Sequence, residues 1–183
     1  VSSARPSSFV LSRPTGPRLF SMSELLLFPP PEWLVDGILP AGGLVGIYGQ
    51  PGTYKSFVAI DIAMSVASNV LWHGHTVKSG HVIYVAAEGG IGIAKRAHAW
   101  LIDRNIKPIN ANIAWLTESI PVSVDSENMG LLFETINDEL YDRQPTLVVI
   151  DTLARCFDGD ENLQEDMGRF IGGVDRLRRE FDA

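Results

Sequence analysis

Lys55, Ser56, Glu88 and Asp151 are the residues whose types and spacing suit chemistry on a phosphate. Lys55 and Ser56 close the glycine-rich run Gly49-Gln50-Pro51-Gly52-Thr53-Tyr54-Lys55-Ser56, which follows the apolar Leu44-Val45-Gly46-Ile47-Tyr48 and precedes a nearly continuous apolar stretch from Phe57 to Ala67. The order reads as a buried strand, a loop and a helix. In such a unit the loop N–H groups and the positive end of the helix meet at one point, where an anion replaces the missing intrahelical partners. A triphosphate fits there. Gly49 and Gly52 give the backbone freedom that a Cβ would remove, and Pro51 stiffens the turn between them. Lys55 is a flexible point charge for the β- and γ-phosphates, and the Ser56 hydroxyl can ligate the Mg²⁺ that bridges them. The residues from Gly49 to Ser56, with Phe57 directly after, are therefore the candidate nucleotide contacts. The usual pattern has glycine immediately before the lysine, and here Tyr54 stands in its place. A tyrosine there is expected to keep φ negative and to turn its ring away from the nucleotide.

Two further carboxylates sit where strands end. Val82 to Ala87 is an apolar run that opens into Glu88-Gly89-Gly90, and Thr146 to Ile150 is another that ends in Asp151-Thr152. In an open α/β sheet the ligand crevice lies at the carboxyl ends of the strands, so Glu88 is placed to face the same crevice as Lys55. A solvated loop acid or helix N-terminal charge explains the same position equally well. An apolar strand finishing in Asp is the arrangement that holds magnesium opposite a lysine loop, which makes Asp151 the second candidate Mg²⁺ residue beside Ser56.

The elements that must carry these residues alternate between the two periods. Ile93, Ala94, Ala97, Trp100 and Leu101 fall at helical spacing, Asn112 to Leu116 reads as a strand, and Met129, Leu132, Phe133, Ile136 and Leu140 mark another helix. The closing helix carries Leu163, Met167, Phe170, Ile171, Val174, Leu177 and Phe181, with Arg176, Arg178 and Arg179 mostly toward solvent. A short helix is expected from Met22 to Leu27, ended by Pro29-Pro30-Pro31. Trp33 reads as a plug at the core edge, with packing against a nucleotide base as the other use. Trp72-His73-Gly74-His75 reads as a turn, because two histidines one residue apart leave a metal short of ligands. The acidic run Asp158-Gly159-Asp160-Glu161-Asn162 departs from a calcium loop at Leu163 and Arg169 and reads as a solvated loop.

With 183 residues, 45% of them hydrophobic, the chain can bury the core of one domain. A net charge of −7 argues against a surface dominated by nucleic-acid binding. Cys156 is alone, which precludes an intrachain disulfide and favours a reducing cytoplasm, and no apolar run reaches the length of a membrane span. The Ser-, Pro- and Arg-rich start suggests a flexible leader over residues 1–21 and a domain over 22–183.

Taken together, the chain resembles the RecA-like P-loop ATPases, in particular the plasmid RepA-type replicative helicases and their AAA-named phage and plasmid relatives. The marks run from about Pro31 to the end: Glu32-Trp33-Leu34-Val35-Asp36-Gly37, Gly49 to Ser56, Trp72-His73-Gly74, Tyr84-Val85-Ala86-Ala87-Glu88-Gly89, and Ile150-Asp151-Thr152-Leu153-Ala154-Arg155. The resemblance implies an α/β three-layer fold with a mainly parallel sheet, ATP and Mg²⁺ as cofactors, Lys55, Glu88 and Asp151 as catalytic residues, and Glu88 as the base that activates water. It also implies Arg96 against the adenine, a homo-oligomer such as a hexameric ring, and single-stranded DNA as partner. The family's arginine finger and DNA-responsive strand have no matching positions here. In the family's strand order another strand follows the closing helix and inserts between Leu44–Tyr48 and Leu147–Ile150. The expectation is thus a domain truncated at its C-terminus, with both of those runs lacking a neighbour. Helicase or DNA-remodelling activity is the main functional expectation. A nucleotide-dependent recombination mediator and a small-molecule phosphotransferase are the alternatives.

Overall fold

The fold is that of a computed structural model, which describes residues 18–87, 90–123, 127–141, 143–157, 159 and 163–181. The chain divides into two compact units, 1–30 and 31–183. In the first, α1 (Met22–Leu25) is a single turn closed by a capping box: the Ser21 hydroxyl accepts the Glu24 N–H, and the Glu24 carboxylate accepts the Ser21 N–H at 2.8 Å. The helix stops two residues short of the expected Leu27, with Leu26 as its C-cap. Most of the expected leader, residues 1–17, lies outside the described residues.

The second unit is built on β3 (His81–Ala86), whose side chains are apolar on both faces apart from Tyr84 and His81. A strand buried on both sides reads as a continuous hydrophobic run, and parallel pairing on both edges follows. β4 (Ile113–Leu116) pairs along one edge and β5 (Pro145–Asp151) along the other, giving the order β4-β3-β5, with Tyr84 beside Val149 and Ala86 beside Asp151. Val82, Tyr84 and Ala86 face α2 (Lys55–Ser68) and α3 (Gly90–Asp103), while Ile83 and Val85 face α4 (Glu127–Leu140) and α6 (Gln164–Phe181). This is the expected three-layer α/β arrangement. A small antiparallel pair, β1 (Trp33–Val35) and β2 (Leu39–Pro40), precedes it. In β1 Leu34 and Val35 are buried and Trp33 is exposed, so Trp33 does not plug the core edge.

The helices follow their sequence patterns in the main, although Ala94 of the expected α3 stripe is exposed, as are Phe57 and Val58 at the start of α2. α4 buries all five residues of its expected stripe. In α6, Leu163 precedes the helix and is exposed, as is Ile171, while Gly173 is buried. A Cβ on Gly173 would lie 3.1 Å from the Ser123 backbone, so this helix face is set by a close backbone approach as much as by side-chain size. Arg176 and Arg179 are exposed as expected, while Arg178 donates to the Gly42 carbonyl at 3.0 Å and Arg176 lies 5.1 Å over the Phe133 ring.

The run Leu44–Tyr48 departs further from expectation. It forms no ladder, Leu44, Val45 and Ile47 are about half exposed, and Tyr48 is 96% exposed. Apolar residues make a buried strand only where the backbone finds a partner, and among the described residues neither this run nor the outer edge of β5 has one.

Asp61 ties α2 to α3. Its carboxylate accepts the Trp100 indole N–H at 2.6 Å and contacts His73 Nε2 at 3.0 Å, with the Arg104 guanidinium at 3.8 Å. His73 belongs to the expected turn, in which Trp72 and His75 exchange backbone hydrogen bonds. Asp61→Ala is expected to cost about 1–3 kcal/mol, because the Trp100 donor loses its partner at a half-buried site. A urea midpoint equal to the wild type's would remove Asp61 from the account of stability. Among the described residues no helix is long and apolar enough to cross a membrane.

Candidate functional site

The loop before α2 owes its shape to two left-handed residues. Gly52 sits at φ 83° and Tyr54 at φ 62°. The negative φ expected of Tyr54 is therefore corrected: the position before the lysine takes the conformation that glycine would take without strain, and the tyrosine bears it. The cost for an L-residue is about 1–2 kcal/mol. Its ring is exposed and edge-on to Phe57, with centroids 5.6 Å apart. At this φ, Tyr54→Gly is expected to be more stable than Tyr54→Ala by about 1 kcal/mol, reversing the ordinary preference for alanine. Chemical denaturation of the two variants checks it, and an alanine variant equal to or better than glycine contradicts the positive φ.

Tyr54 occupies the N-cap of α2 without a side-chain cap, and the first turn carries no acidic residue. The leading N–H groups of the helix are thus directed at the loop, as an anion site requires. Lys55 Nζ donates to the Gly49 carbonyl at 2.7 Å and to the Gln50 carbonyl at 3.0 Å, and the Thr53 hydroxyl donates to the same Gln50 oxygen at 2.8 Å. The lysine charge is held over the mouth of the loop. One residue on, Ser56 Oγ donates to Asp151 Oδ1 at 3.0 Å across 95 positions of sequence. Those two oxygens fit a magnesium ion, which takes hard oxygen ligands and typically binds one or two protein groups plus phosphates. Among the described residues there is no cluster of three or more His, Cys, Asp or Glu to form an all-protein metal cage.

Arg96, on α3, lies with its guanidinium 4.7 Å over the Phe57 ring, directly beside Ser56. Glu88 lies outside the described residues, as do Gly89 and, from the acidic run, Asp158, Asp160, Glu161 and Asn162. The residue before it, Ala87, donates its N–H to the Asp151 carbonyl at 2.8 Å, so β3 and β5 end level with each other. A shallow cavity lined by His81, Asn112, Glu139 and Arg143 lies at the opposite, amino end of the sheet strands, away from where ligands of open α/β sheets bind.

Sequence reasoning passed over one member of this site. Tyr84 is fully buried on β3, and its hydroxyl donates to Asp151 Oδ2 at 2.8 Å. Burial, reinforced by the Asp151 charge, holds that phenol far above its ordinary range, so it remains a donor. The available signal was a lone hydroxyl in an otherwise apolar strand, two residues from the strand end.

Residues 19–183 match the AAA domain family. The chain belongs to that family. A curated relative, the DNA repair and recombination protein RadB of Methanosphaera stadtmanae, is 25% identical over 173 residues, covering 90% of this chain and 68% of the relative. With the parallel sheet and the phosphate loop, the AAA domain described here is a RecA-like P-loop ATPase domain.

Proposed function

We propose that this AAA domain binds ATP·Mg²⁺ at the Lys55–Ser56–Asp151 point and, in a homo-oligomeric assembly, hydrolyses it to move along or remodel DNA. The observation that carries the reading is the Ser56–Asp151 contact at 3.0 Å, which joins a helix N-terminus to the end of β5, one residue on from Lys55, whose ammonium is held by the loop carbonyls. Loop amides and Lys55 hold charge on the β/γ oxygens, and Ser56 and Asp151 hold the ion. Magnesium, when bound, neutralises charge on those oxygens. Glu88 takes the proton of the attacking water, and Arg96, packed on Phe57, lies against the adenine. The oligomer is a ring that acts on single-stranded DNA.

A second reading has support in the RadB relative, a DNA repair and recombination protein: a nucleotide-dependent module that changes partner contacts with little turnover. ATP hydrolysis by the protein, with and without single-stranded DNA, separates the two. Stimulation of several-fold or more supports the motor. Binding of ATP with negligible turnover in either condition supports the module. DNA-independent turnover on a small-molecule acceptor would overturn both.

A further inference from the structure

A phenol with no exposed surface in the middle of an apolar strand needs a reason, because a phenylalanine would pack there without a polar atom to satisfy. Tyr84 stands beside Val149 in the β3–β5 ladder, so it shares a sheet face with Asp151 two positions on. Its hydroxyl reaches Asp151 Oδ2 at 2.8 Å, while Ser56 Oγ reaches Oδ1 at 3.0 Å. The two carboxylate oxygens are therefore held from opposite sides by donors that are 28 residues apart in sequence, one on β3 and one on α2. Trp115 on β4 packs against the ring at 4.8 Å and restricts it from the far side. A carboxylate gripped at both oxygens cannot turn about its own bond.

We propose that Tyr84 is a positioning residue for magnesium: its hydroxyl occupies Asp151 Oδ2 and thereby keeps Oδ1 directed at Ser56, where the ion of an ATP·Mg²⁺ complex is bound. This rests on the ATP·Mg²⁺ reading above. Without the hydroxyl, Oδ2 loses the donor that the structure gives it, and the carboxylate is free to turn away from Ser56. Groups that orient a metal ligand in this way typically change metal affinity by 10–100-fold when removed. The effect should fall on the ion and leave the contacts of Lys55 and the loop amides to the nucleotide intact.

The test is ATP binding by fluorescence titration, in excess Mg²⁺ and in EDTA, for wild type and Tyr84→Phe. The expected result is equal affinity in EDTA and a Mg²⁺-dependent gain in affinity that is about tenfold smaller in the variant. A folded Tyr84→Phe with the full wild-type gain overturns the assignment of Tyr84 and leaves the ATP·Mg²⁺ site standing. Wild-type protein that binds ATP no better with Mg²⁺ than in EDTA overturns the underlying reading, and the role of Tyr84 with it. Against a variant that does not fold, 3-fluorotyrosine at position 84 keeps the ring and the donor. Its ¹⁹F resonance is expected to move with ATP·Mg²⁺ and not with ATP in EDTA. A resonance unmoved by ATP·Mg²⁺, in protein shown to bind it, also overturns the proposal.

Discussion

Lys55→Ala is expected to weaken ATP·Mg²⁺ binding by a hundredfold or more. Lys55 is the one side-chain cation between Gly49 and Ser56, and its ammonium is already aimed across the loop mouth at the Gly49 and Gln50 carbonyls. Each charge-assisted hydrogen bond to a phosphate contributes about 1.5–3 kcal/mol, so losing two exceeds the 2.7 kcal/mol that corresponds to a factor of 100. The same substitution removes two intramolecular bonds of the loop. Thermal melting of the variant must therefore accompany the titration. A folded variant that binds ATP as the wild type does would take the nucleotide away from this loop.

Glu88→Gln should have the opposite signature: nucleotide retained, turnover reduced by about 10²–10⁴. Glutamine keeps the shape and hydrogen-bonding reach of the side chain and cannot take a proton from water. Glu88 directly follows Ala87, whose N–H is bonded to the Asp151 carbonyl. A loss confined to kcat with unchanged ATP affinity marks a group used in the transition state. Wild-type turnover in Glu88→Gln would return Glu88 to the reading of a solvated loop acid.

The layers of the fold were legible because burial leaves a periodic trace. Met129, Leu132, Phe133, Ile136 and Leu140 repeat at 3 and 4 and are the buried face of α4, and the unbroken apolar run of β3 marks a strand covered on both sides. Legibility failed where a backbone conformation or a tertiary partner decides the outcome. Leu44–Tyr48 has the composition of a strand, but hydrogen bonding needs a neighbour, which no composition reveals. Tyr54 takes φ 62° because the loop demands it, against its own preference. In α6 the apolar Ile171 is exposed and Gly173 is buried, because a close approach to the Ser123 backbone selects for the absence of a side chain.

The candidate site divides the same way. The contact of Ser56 with Asp151 spans 95 residues, yet it could be anticipated because each end carries its own local mark, a glycine-rich turn and an apolar strand ending in a carboxylate. Tyr84 carries a weaker mark, one hydroxyl in an apolar strand. Its hydroxyl matters only through Asp151 on the neighbouring strand, and that needs the register of β3 against β5. Asp61 gave as little sign, the single charge of the apolar run from Phe57 to Ala67, with partners Trp100 and His73 that come from two other segments.

Amide hydrogen exchange on the protein with and without ATP·Mg²⁺ tests the central claim most directly, since it reports where the nucleotide sits without any substitution. The account predicts protection over residues 49–57, where the loop N–H groups and the start of α2 would hold the phosphates, and at the end of β5 around Asp151. The protection at Asp151 should fall when EDTA replaces Mg²⁺. Saturating ATP·Mg²⁺ that leaves residues 49–57 unprotected, or protects a different part of the chain instead, would contradict it.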